Sequence, residues 1–92
     1  MKTETTITLP LIHMNGTAAK DLFEGYRAAM DAVQDADDAI KRLEFNARDY
    51  YPQGPEAWEK AREEMTERRK KLSEIHADFL AIAIHIQDTA NL

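Results

Sequence analysis

Arg48-Asp49-Tyr50-Tyr51-Pro52-Gln53-Gly54-Pro55 interrupts two long stretches of helical pattern. Just upstream, Asn46 suits a left-handed helix end; Pro52 and Gly54 forbid continuation, and Pro55 suits the first turn of a new helix. The chain is therefore expected to reverse direction here. The same stretch sets two adjacent tyrosines beside an arginine and a glutamine, the one dense group of recognition-type side chains in the sequence. Tyr51-Pro52 is open to either peptide isomer.

Upstream of the break, Leu22, Tyr26, Ala29, Val33, Ala36, Ile40, Leu43 and Ala47 recur at alternating spacings of four and three. That is the seam of a long helix packing at a shallow angle on another helix. Phe23 and Met30 widen the stripe, and Gly25 costs about 1 kcal/mol of helix propensity without overturning it. Asp35, Asp37 and Asp38 read as a solvated face. Thr17 is the expected N-cap, with Asp21 and Glu24 near the positive end of the helix dipole.

Downstream, Trp58, Ala61, Met65, Arg68, Leu72, Ile75, Phe79, Ile82 and Ile86 form the matching seam. Folded about the turn, Leu43 should meet Trp58, Ala36 should meet Met65 and Phe79 should meet Leu22. Arg68 would then snorkel toward Asp37 and either form a structural ion pair or fix the register of an assembly. This register leaves nothing of the first helix opposite Ile82 or Ile86, although Phe79 to Ile86 is the most apolar part of the chain. A helix apolar nearly all round is buried on all sides; the N-terminal arm can cover one side, and another subunit is the expected cover for the rest.

Before the first helix, Thr5 to Ile12 alternates Thr6/Thr8/Pro10 against Ile7/Leu9/Leu11, the period of a short strand. Pro10 confines it to an edge or an end. Such an arm must pair with a copy of itself, pair with a partner or lie extended along the helices. Asn15-Gly16 then supplies a turn. The expected fold is all-α, one domain over residues 1–92: an arm over 1–16, a helix over 17–46, a turn over 47–54 and a helix over 55–89, assembling as a homo-oligomer.

Composition narrows the function. Ninety-two residues allow one modest core, and the absence of cysteine removes disulfides and thiolate metal sites. A net charge of −5 argues against nonspecific attraction to nucleic acid or an anionic membrane. Arg68 to Lys71 is the only basic run; it spans more than a helical turn and is surrounded by glutamates. Met1 to Thr6, with Lys2 and Glu4, and the broken Ile7 to Ile12 do not compose a signal-peptide core. The longest apolar run falls far below the ~20 residues of a bilayer span. Cytoplasmic location is the expectation.

Catalytic constellations are missing from the pattern. There is no cysteine, one serine inside a charged helical stretch, no G-x-S-x-G elbow and no phosphate-cradling glycine loop. His76 and His85 fall on opposite faces of one helix and cannot jointly grip a metal ion, and His85 reads as structural. No enzyme activity, cofactor or metal is expected. The candidate ligand-binding residues are Arg48, Tyr50, Tyr51 and Gln53 in the loop and His13 and Asn15 in the bend before the first helix. A tyrosine can stack on a planar base, Arg48 can pair with phosphate, and Gln53 or Asn15 can read polar edges. The bland alternative is that the tyrosines staple the turn to Trp58 and Leu43. Loop and bend lie at opposite ends of one hairpin, so a joint site needs another subunit.

With Ile12-His13-Met14-Asn15-Gly16-Thr17 before one long helix and Arg48-Asp49-Tyr50-Tyr51-Pro52-Gln53-Gly54 before another, the chain resembles short helical accessory proteins encoded by phages and prophages. The resemblance implies a phage accessory role in the host cytoplasm. Several counter-defence families of that kind are oligomers that sequester nucleotide immune signals between subunits, and a small nucleotide-like ligand is the first expectation. The alternative is a protein-interaction module that inhibits a host or phage protein through its acidic helix or apolar C-terminal end.

Overall fold

In the computed structural model, which describes residues 7–92, two helices pack against each other as a hairpin. Helix α1 spans Ala19–Lys41 and helix α2 spans Pro55–Ala90. Between them lie two short 3₁₀ turns, Ala47–Asp49 and Tyr51–Gln53. Among the described residues there is no strand. Thr5 and Thr6 of the expected strand, and the Met1 to Thr6 segment weighed as a leader, lie outside them. Residues 7–13 have no regular structure. One hydrogen bond joins them to α2, in which His85 Nε2 donates to the Pro10 carbonyl at 2.9 Å.

The turn follows its sequence at the downstream side. Gly54 adopts φ 111° and ψ 157°, a region essentially closed to side chains, and Pro55 opens α2. Upstream the expectation fails. Helix α1 stops at Lys41, its end tightened by Arg42 and Leu43 N–H bonds to Ala39 and Ile40, and Asn46 is extended rather than left-handed. The cause is Phe45, whose ring packs on Trp58 (5.0 Å between centroids) and Tyr50 (5.8 Å). Two aromatic contacts at about 0.5–1.5 kcal/mol each beyond their burial offset the few tenths per residue forfeited over residues 42–46. Thr17 is likewise not the cap: the chain leaves the Gly16 turn extended, Ala18 takes the N-cap position, and no side chain caps the helix.

Ending α1 early slides the register by about one turn relative to the expected seam. Phe79 meets Tyr26, edge to face at 5.6 Å, rather than Leu22. Trp58 meets Phe45 rather than Leu43. Arg68 reaches only Glu64 on its own helix (3.9 Å), while Arg69 takes Asp37. The shift brings the start of α1 opposite the end of α2. Ile82, Ala83 and Ile86 are consequently buried within one chain, Ile86 completely (0 % exposed), and the expectation that they require another subunit is overturned.

The core is nevertheless thin. Apart from that group only Ala61 is buried among the described residues, and α1 buries none of its own side chains fully. The molecule measures 60 × 29 × 18 Å with a radius of gyration of 18.5 Å, against about 12 Å for a compact chain of this length. It exposes 7061 Å², where a folded monomer of its mass exposes about 5,400 Å².

Candidate functional site

At the loop end, Tyr50 is half-buried and its ring packs on Phe45 and Trp58 (5.7 Å). The peptide before Pro52 is trans. Tyr50 therefore staples the turn, while Tyr51 next to it remains 66 % exposed. Arg48 and Gln53 are also exposed. At the other end, His13 and Asn15 are exposed in a turn closed by the Gly16 N–H on the His13 carbonyl. The His13 ring lies over Gly16, where a Cβ would come within 2.9 Å of Nε2 and the exposed ring would have to swing aside. With all of α1 between them, loop and bend are separated by about 35 Å. One chain does not bring the six candidate residues together.

Besides a shallow concavity at Leu22, Gly25, Tyr26 and Ala29, what the hairpin assembles lies along the other side. There the two helices leave a groove in three sections. Near the loop it is lined by Phe45, Trp58, Arg62, Met65, Thr66 and Arg69, with the Arg62 guanidinium 5.7 Å from the Trp58 ring centre. The middle section is polar, formed by Gln34, Asp37, Arg69, Ser73 and His76 over Val33 and Leu72. At the open end Phe23, Met30, Leu80 and Ile84 make an apolar section rimmed by Arg27, Asp31 and Gln87. Leu80 and Ile84 remain 41 % and 46 % exposed. The middle section holds about 220 Å³, below the ~300–1,000 Å³ usual for small-molecule sites.

The polar middle is organised by one two-pronged ion pair. Arg69 donates from Nε to Asp37 Oδ1 at 2.8 Å and from a terminal nitrogen to Oδ2 at 3.1 Å. That hydrogen bonding holds the Asp37 carboxyl below its ordinary range and raises Arg69, with Lys41 (3.8 Å) adding a weaker attraction on Asp37. Asp38 accepts from Gln34 at 3.0 Å. Of the acidic cluster, Asp37 alone ties α1 to α2, Asp38 bonds within α1, and Asp35 is exposed. Among the described residues no three histidine, aspartate or glutamate side chains converge as a metal-binding group, and no helix is long and apolar enough to cross a membrane.

Sequence spacing missed the ion pair because Arg68 and Arg69 fit two alternative seams, and apolarity favoured the one containing Ile75. In the structure Ile75 is 41 % exposed and His76 is half-buried facing α1. The competing run Met65, Arg69, Leu72, His76, Phe79, Ala83 and Ile86 keeps the same spacing and could have been read. No protein-family model, curated protein or solved structure matches the chain.

Proposed function

We propose that the protein is a nonenzymatic interaction module of the phage accessory kind, a helical hairpin that works by docking its grooved side against another protein chain. The observation that carries this reading is the open-end section of the groove. Four large apolar side chains, Phe23, Met30, Leu80 and Ile84, adjoin there within a polar rim, the anatomy of a protein interface. Affinity capture from bacterial lysate that also contains an untagged copy of the chain tests it, comparing the native chain with Leu80→Glu/Ile84→Glu. A stoichiometric chain retained by the first and lost by the folded second is the expected outcome; identical captures would sink the reading.

A second reading, sequestration of a small nucleotide-like signal, is favoured by one feature: Tyr51 stands exposed between Arg48 and Gln53 at the loop. Its ring is free to stack, with a guanidinium nearby for phosphate. Tyr50 drops out of the contact set, and His13 and Asn15 join only through another copy. Calorimetry against cyclic and adenine-derived nucleotides should give saturable heat that Tyr51→Ala abolishes. No heat from any of them would remove this reading and leave the first untouched.

A further inference from the structure

On α2, Thr66, Arg69, Ser73, Ala77, Leu80 and Ile84 follow one another at spacings of three or four. At ~100° per residue they share a stripe about 80° wide, turned roughly a quarter of a revolution from the side that faces α1. Between Thr66 and Ile84 the stripe contains no carboxylate, although the same helix carries Glu63, Glu64, Glu67, Glu74 and Asp78, and Glu59 continues the arc beyond Thr66. Its composition also runs in order: polar toward the loop, small in the middle, apolar toward the open end. Resting on the reading of the grooved side as the working surface, we propose that its occupant is a second copy of this chain, docked antiparallel along this stripe to make a four-helix bundle.

Three observations select that occupant and that direction. The first is charge. Two chains of net charge −5 repel in general, but along this stripe no carboxylates face one another, and the Arg69 charge is already met by Asp37. The second is pattern. Parallel docking would set Arg62 against Arg62 and Arg69 against Arg69, whereas antiparallel docking lays Leu80 and Ile84 over the aliphatic part of Arg69 and over Thr66 of the other copy. Ser73 and Ala77 then meet at the crossing, where small side chains let helix axes approach closely. The third is area. A stable pair needs about 800 Å² from each partner, and the chain exposes 7061 Å² where about 5,400 Å² is usual for its mass, so the surplus covers the requirement.

The same antiparallel arrangement carries the Arg48–Gln53 loop of one copy to the His13–Gly16 bend of the other. The two groups of candidate ligand residues, far apart within a chain, become neighbours twice per pair.

Since the chain contains no cysteine, introduced thiols report the pairing directly. In Thr66→Cys/Ile84→Cys the two thiols lie about 27 Å apart on one helix and cannot bridge within a chain. Oxidation is expected to give a covalent dimer for the double variant and none for either single variant. Single variants that cross-link as readily as the double would mean parallel docking and overturn the proposal. Sedimentation supplies the second measurement. The native chain should run at twice its 10.5 kDa, and Ala77→Glu, a change at an exposed position, should halve that mass with helicity unchanged. A native chain that stays monomeric at millimolar concentration would sink self-pairing, while the lysate capture above would still judge the grooved side by itself.

Discussion

Replacing Ile86 by alanine measures how far one chain covers its own apolar end. Ile86 is 0 % exposed, whereas Ile75 on the same helix is 41 % exposed and lies outside the stripe proposed for pairing. Removing buried methyl and methylene groups forfeits their transfer energy and leaves a cavity, together about 2–5 kcal/mol for isoleucine to alanine. The better helix propensity of alanine offsets only a few tenths of that. At Ile75 the loss is partial and the offset is the same, so the net change should stay below about 1 kcal/mol. A chain of this length holds roughly 5–14 kcal/mol in total, and four buried side chains put this one near the lower end. Ile86→Ala should therefore remove about half of the stability or more. Urea unfolding followed by far-UV circular dichroism, at one fixed chain concentration, reads the difference. With a slope of about 1 kcal/mol per molar for a small protein, the midpoint should fall by at least about 2 M for Ile86→Ala and by less than about 1 M for Ile75→Ala. Equal shifts would mean that Ile86 is no deeper than Ile75, and would restore the idea that another chain must cover it.

The two glycines of the helical region should respond in opposite directions. Gly54→Ala forces a side chain into a backbone region essentially reserved for glycine and should cost about 1–3 kcal/mol, whereas a Cβ at Gly25 meets nothing within 4 Å and Gly25→Ala should raise the melting temperature by several degrees. Tyr50→Ala should open the aromatic cluster and shift Trp58 fluorescence to longer wavelength, while exposed Tyr51→Ala should leave the emission unchanged. For Arg69→Gln, an NMR titration should find the Asp37 midpoint raised toward the ordinary aspartate range. Because the folded carboxyl is held low, its contribution to stability is present above that range and fades as pH falls through the depressed value, so the gap between native and variant stability should close in strong acid.

The hairpin was legible because its punctuation is local. Pro52, Gly54 and Pro55 act through their own backbone restrictions, and those do not depend on distant residues. The end of α1 was not legible, since it depends on Phe45 reaching Trp58 across the turn, a tertiary gain that outweighs propensity. Every facing pair downstream inherits that slip, which is why Arg69 rather than Arg68 takes Asp37 and why the C-terminal turns find cover in their own chain. The bond from His85 to the Pro10 carbonyl joins residues 75 apart, beyond the reach of any local pattern. Of the candidate site residues, Tyr50 was claimed by packing, and its neighbour Tyr51 was left free. Two adjacent tyrosines in a loop do not say which of the two will turn inward.

The aromatic cluster also sets an order of closure. Phe45 and Trp58 are near neighbours along the chain, while the Pro10 carbonyl reaches a side chain 75 positions away. Closing the longer loop alone costs roughly 1.5 kcal/mol more in chain entropy. The hairpin should therefore zip from its bend and seal last where the Pro10 segment meets the end of α2. Thermal opening or a pulling force would peel it from that far end, so the latch formed by His85 is the first contact to yield and the rings beneath Tyr50 are the last.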